Sequence, residues 1–124
     1  MLMVLVAFIA FAFQSCSKSE DNVTHNISWK LYIQDQGDMS DELKTQLENE
    51  FAGTSSATYA NDEGAKTGTE VVAKQIRQRV GEIMYNDKSA VFTVSVVTTR
   101  VSDNKQVCKW DVIYDKGVIT MQQY

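Results

Sequence analysis

With 124 residues, 44% of them hydrophobic and 23% charged, no proline, six glycines and two cysteines, the chain has room for one core, and its composition argues against collagen-like, repeat and wholly disordered architectures. The net charge of −4 falls entirely after Ser15, and the twelve Lys and Arg side chains are scattered apart from the stretch Lys74 to Arg79. Without a basic stripe, phosphate-dominated nucleic-acid binding is disfavoured and no nucleic-acid partner is expected.

Met1 to Phe13 is uninterrupted apolar sequence. As a helix it would reach only about 20 Å, short of the roughly 30 Å hydrocarbon core of a bilayer, which makes it a poor transmembrane span. Its length suits the apolar region of a secretory signal peptide. The segment Phe13-Gln14-Ser15-Cys16, an apolar run ending in a small residue directly before a cysteine, resembles the lipobox of bacterial lipoproteins. It departs from that family in carrying Phe13 and Gln14 where aliphatic and small residues are usual. The resemblance implies that residues 1–15 are a signal peptide, that Cys16 is the lipid attachment site, and that the mature chain is tethered to a membrane through its N-terminal lipid. Two or three acyl chains, at about 0.8 kcal/mol per buried methylene, make such an anchor durable. Ser17 in place of Asp is similar to lipoproteins sorted to the outer membrane, so the implied location is the cell envelope, on the periplasmic side or at the cell surface. Residues 16–25 then read as a flexible tether, with the single histidine, His25, as an ordinary surface residue where tether meets domain.

From Asn26 to Gln34 the chain alternates, with Ile27, Trp29, Leu31 and Ile33 on one face, the pattern of a half-buried strand. Gln36-Gly37 breaks it. Asp38 or Ser40 can cap a helix carrying Asp41 and Glu42 in its first turn, where acidic side chains favour the positive end of the helix dipole. Met39, Leu43, Leu47 and Phe51 recur every four residues, and Gly53 is placed to end the helix. Thr54 to Lys66 is small and polar and reads as a long irregular loop. A second helix follows Thr67 and Glu70, a capping-box pair, with Val72, Ala73, Ile76, Val80, Ile83 and Met84 on one arc and Arg79 at its edge. Ala90 to Val101 reads as a central strand, and Val107 to Tyr114 as another with Cys108, Trp110, Val112 and Tyr114 facing the core. Asp115-Lys116-Gly117 reads as a tight hairpin connection into a last strand from Val118.

These elements predict an α+β domain over residues 26–124: a two-layer sandwich of topology βααβββ, with a four-stranded antiparallel sheet in sequential order and two helices on one face. The two helices are expected to form an antiparallel hairpin that brings Asp41 and Glu42 to Arg79. The other sheet face, with Tyr32, Val91, Val97, Val107 and Ile113 among Thr, Ser, Lys and Asp, is half apolar and half polar.

No motif for catalysis, metal or phosphate binding is present, and no cofactor or catalytic residue is implied. Asp35, Asp38 and Asp41 have the donor chemistry for a hard cation but lack the spacing of a calcium loop, and capping accounts for them. A buried Cys108 is a small hydrophobe. The candidate binding loop is the segment holding Tyr59, Asn61, Asp62 and Glu63, because binding residues concentrate on loops held by a rigid scaffold. The expected role is a lipid-anchored accessory or binding module that contacts an envelope protein or a glycan. The alternatives are a small periplasmic hydrolase using acidic residues and a structural subunit of an envelope complex.

Overall fold

A computed structural model describes residues 23–124. The expected signal peptide, Cys16 and most of the tether lie outside them. The elements are β1 (Val23–Asp35), α1 (Asp41–Glu50), β2 (Ala52–Tyr59), α2 (Asp62–Ile83), β3 (Val91–Arg100), β4 (Lys105–Asp115) and β5 (Val118–Gln123). The strands form one antiparallel sheet in the order β2-β1-β3-β4-β5.

The α+β class, the two helices and the antiparallel sheet agree with the sequence pattern, but the sheet has five strands where four were expected. The four expected strands keep their sequential order. The added one, β2, pairs along the outer edge of β1 from Val23↔Tyr59 to Lys30↔Ala52. It occupies much of the segment expected to be a loop, and α2 takes the rest, starting at Asp62 with Asn61 as its cap. Thr67 and Glu70 therefore lie inside the helix and make no capping box. The Thr67 hydroxyl instead donates to the Glu63 carbonyl at 3.1 Å.

Gly53, expected to end the first helix, and Gly68 both serve close approach. A Cβ on Gly53 would come within 2.8 Å of the Trp29 indole, so this position lets β2 lie flat beside Trp29, its register partner on β1. A Cβ on Gly68 would overlap the Tyr59 hydroxyl and reach 2.6 Å from its Cζ. Both glycines sit where a side chain has no room, at the seams that join β2 to the rest of the molecule.

The core lies between the sheet and the helices. Ile27 and Trp29 of β1, Ala57 and Tyr59 of β2, Phe92, Val94 and Val96 of β3 and Val112 and Tyr114 of β4 meet Met39, Leu47 and Phe51 from α1 and its flanks. Val72, Ala73, Ile76, Val80 and Met84 of α2 and its end close the cluster, as the helical arc predicts. Burying each large side chain here contributes about 1.5–3 kcal/mol. Phe92 stacks on Tyr114 with centroids 5.0 Å apart. Trp110 is only partly buried at the margin of this layer. Val107, expected on the outer face, packs against the core, because a bulge between Thr98 and Thr99 shifts the β3–β4 register just beside it.

Arg79 corrects the expected helix hairpin. Its Nε donates to Glu50 Oε1 at 2.6 Å and its Nη1 to Glu82 Oε1 at 3.3 Å, so the partner is at the end of α1 and not in its first turn. The reason is β2. The strand returns the chain to the Val23 end of β1 before α2 begins, so α2 climbs the full sheet instead of folding back along α1. From Asp62 to Arg79 the helix rises about 25 Å, and from Val23 to Lys30 the strand rises about 23 Å. Lys30 pairs with Ala52, two residues after Glu50, which puts the end of α1 at the height of Arg79.

Candidate functional site

The residues of the expected binding loop are brought together, but as a structural joint. Asn61 Oδ1 accepts from the Gly64 N–H at 2.8 Å and caps α2. Asp62, in the first turn, binds outward: Oδ1 lies 3.3 Å from His25 Nε2, and Oδ2 accepts from Arg100 Nη2 at 3.2 Å. Glu63 is exposed and pairs with Lys66 at 3.4 Å. Tyr59 is fully buried and meets the His25 ring edge-on, with centroids 5.7 Å apart.

His25 is thus no surface residue at the end of a tether; it is fully buried. Its Nδ1 lies 2.9 Å from the Val23 carbonyl oxygen, so both ring nitrogens face acceptors. The ring can donate to both only when it carries two protons. The cluster ties β1, β3 and α2 together at one end of the sheet. No sequence periodicity announces it, because its members are 37 and 38 residues apart.

The acidic turn after β1 is likewise occupied by its own backbone and side chains. Asp35 Oδ1 accepts from the Gly37 N–H at 2.9 Å, Asp41 Oδ1 from Gln36 Nε2 at 3.1 Å, and Ser40 Oγ from the Leu43 N–H at 3.1 Å. Among the described residues no group of His, Cys, Asp and Glu is arranged to hold a metal ion. Nearby, the Ser89 backbone N–H, joined by the Ser89 hydroxyl, holds the Asp87 carboxyl below its ordinary pKa. Burial, reinforced by Asp87, pushes the Tyr114 hydroxyl up. That hydroxyl donates to the Asp87 carbonyl, which fastens the α2–β3 connection to β4.

Cys108 is buried at 2% exposure, opposite Thr98, and its Sγ accepts from Gln123 Nε2 at 3.8 Å. The adjoining polar contact is Thr98 with Thr69 of α2, at 2.6 Å.

Several surfaces remain open among the described residues. The first is the sheet face opposite the helices, which no described element covers. Its side chains pair across strands: Ser28 with Thr54 at 3.1 Å, Ser56 with Asn26 at 3.2 Å, and Ser95 with Asp111 at 2.6 Å. Lys30 lies over the Tyr32 ring at 5.4 Å, and Lys109 over Tyr124 at 4.8 Å. A hydrogen bond to Asp111 pushes the Tyr124 hydroxyl pKa up. Tyr32 is 48% exposed, and Thr93 pairs with both Tyr32 and Ile113 across the sheet. The second surface is a cleft of about 590 Å³ between α2 and the β4–β5 hairpin, lined by Lys74, Arg77, Gln78, Gly81, Gly117 and Ile119. A smaller cleft of about 410 Å³ lies at Val23, Thr24, Val101 and Ser102. Among the described residues neither is lined by a carboxylate.

Among the described residues no helix is long and apolar enough to cross a membrane. No protein-family model, curated protein or solved structure matches the chain.

Proposed function

We propose that this chain is a lipid-anchored cell-envelope protein whose domain is a binding module, and that it meets an envelope protein or a glycan through the open face of its sheet. The anchor rests on the lipobox-like Phe13 to Cys16 and on the short apolar run before it. The binding role rests on one observation: no described element covers the face opposite the helices, on which Tyr32 is half exposed beside Thr93, itself the partner of Ile113. An aromatic platform set among Ser, Thr and amide groups offers both stacking area and hydrogen bonds, the mixture that distinguishes recognition surfaces from a merely solvated sheet.

Two measurements test the two halves separately. Cys16→Ala moves the protein from the membrane to the soluble fraction; retention after a high-salt wash, or an unmodified Cys16 in the wild-type mass spectrum, rejects the anchor. A photoreactive phenylalanine analogue at Tyr32 cross-links to an envelope protein or glycan in intact cells, while the same probe at Glu48 on α1 does not. Equal yields at the two positions reject the sheet face as the contact surface.

A further inference from the structure

The strand β5 forms one edge of the sheet, and it lacks the devices that usually protect an edge from pairing. Val118 to Tyr124 reads VITMQQY, with no charge and no proline, and its register with β4 runs from Asp115↔Val118 to Trp110↔Gln123 without a bulge. Natural edges are blunted by charge, proline, bulges or a covering element. Val118 is 62% exposed and Tyr124 60%. The outward backbone groups follow from the hairpin. A two-residue connection, Lys116 and Gly117 with φ of 49° and 96°, makes Asp115 and Val118 a hydrogen-bonded pair. Tyr124 N–H donates to the Lys109 carbonyl at 2.9 Å, in phase with Val118 by the period of two. Ile119, Met121 and Gln123 therefore turn their N–H and C=O groups away from β4.

Alongside this edge lies the cleft of about 590 Å³, whose α2 wall carries Lys74 and Arg77. Arg77 makes no ion pair among the described residues, whereas Lys74 is shared with Glu70 at 2.8 Å. The Lys88 stem lies against Gly117 at the cleft's end, 3.3 Å from where a Cβ would stand, and Lys116 occupies the turn. In a chain of net charge −4, this is a local surplus of positive charge beside an unpaired strand. Ile119 gives the cleft an apolar wall.

We infer that β5 accepts an extended acidic segment of a partner protein as a sixth strand, whose acidic side chains reach Lys74 and Arg77 across the cleft. Backbone pairing supplies affinity and the alternate side chains supply selectivity, as in other strand-addition complexes. A second copy of this chain fits less well, because its own β5 offers no acidic side chain to the cations. The inference shares with the preceding reading only the premise of a binding module, and it uses a different surface.

The test uses the full chain in detergent and a synthetic peptide of alternating Glu and Val. The peptide binds with an affinity that falls at high salt. The bound state slows amide exchange at Ile119, Met121 and Gln123, while Val118 and Thr120 are protected with or without it. Arg77→Glu, or Lys74→Gln with Arg77→Gln, weakens binding at least about tenfold, roughly 1.4 kcal/mol. A peptide N-methylated on the amides facing β5 does not bind, and Tyr32→Ala leaves binding unchanged. Failure of the Glu-Val peptide to bind, equal binding of a Lys-Val peptide, binding without the three protected amides, or protection of those amides by self-association alone would each overturn the proposal.

Discussion

Gly68 and Gly81 lie on the same helix, thirteen residues apart, and the structure predicts opposite outcomes for the same substitution. Replacing a helical glycine by alanine in open space stabilises by up to about 1 kcal/mol. At Gly81 the new Cβ would meet only the Ile119 Cδ1, at 3.5 Å, an ordinary van der Waals distance. Gly81→Ala should therefore gain about 0.5–1 kcal/mol. At Gly68 the Cβ would overlap the Tyr59 hydroxyl and stand 2.6 Å from Cζ and 2.8 Å from Cε1. Tyr59 is fully buried between β1, α2 and His25 and cannot swing aside. Overpacking of this kind costs about 1–3 kcal/mol, occasionally more, which exceeds the helical gain. Urea unfolding followed by tryptophan fluorescence should place Gly68→Ala below and Gly81→Ala above the parent. For a domain of this size the separation is about 4–8 °C in melting temperature per kcal/mol. Equal stabilisation by both substitutions would show that Tyr59 does not sit against α2, and with it that β2 is not the strand that ends there.

Removing the cation in Arg79→Leu should cost about 3 kcal/mol, the low end for breaking a buried pair, since Glu50 is fully buried while the Arg79 side chain keeps 18% exposure. Glu50→Leu with Arg79→Leu should recover most of that loss, because Glu50 Oε2 is buried without a hydrogen-bond partner among the described residues; a double-mutant cycle in urea should find coupling to Glu50 and none to Glu42. The Asp87 carboxyl is lowered in the folded state, so its contribution is present above its unfolded value of about 4 and is lost as pH falls through the folded value. Unfolding curves between about pH 6 and pH 3 should therefore fall less steeply for Asp87→Asn. Cys108, at 2% exposure, should react with thiol reagents only as fast as the domain unfolds, which mass spectrometry of pulse-labelled protein checks against the unfolding rate.

How much of this fold was legible depends on where hydrophobic contrast existed. The strand at Ile27, Trp29, Leu31 and Ile33 and the arc from Val72 to Met84 read correctly because large apolar residues recur at the period of their element. The segment from Ala52 to Tyr59 alternates too, with Gly53, Ser55, Ala57 and Tyr59 inward, but three of those four are small. Gly53 is small because of packing: the Trp29 indole fills the space over it. The side-chain volume that would mark β2 as a strand is supplied by its neighbour, so composition alone reads as a turn-rich loop. Missing that strand carried the helix hairpin with it, since two helices joined by a loop and two helices separated by a strand predict different partners for Arg79.

The candidate site was less legible for a related reason. Loops attract attention because they carry function, yet Tyr59, Asn61 and Asp62 turned out to cap a helix and to hold a buried histidine. A polar residue in sequence has the same appearance whether it faces water or a buried partner far along the chain; Asp62 meets His25 and Arg100 only through the sheet. Surfaces behave differently. The exposed face was readable from β1, β3 and β4 as alternation whose outer residues are mixed, and the structure changes only Val107, through one bulge. The β5 edge follows from the sequential order expected of the four strands, but the opposite edge could not be read, because β1 was expected there and β2 occupies it. Recognising β2 as a fifth strand leaves β5 at an edge but moves β1 inward, so that both edges of β1 are paired and the uncharged strand from Val118 to Tyr124 is left beside the cations of α2. It is the topology, set by small residues around Trp29, that decides which edge of this domain is open to a partner and which is filled by the chain itself.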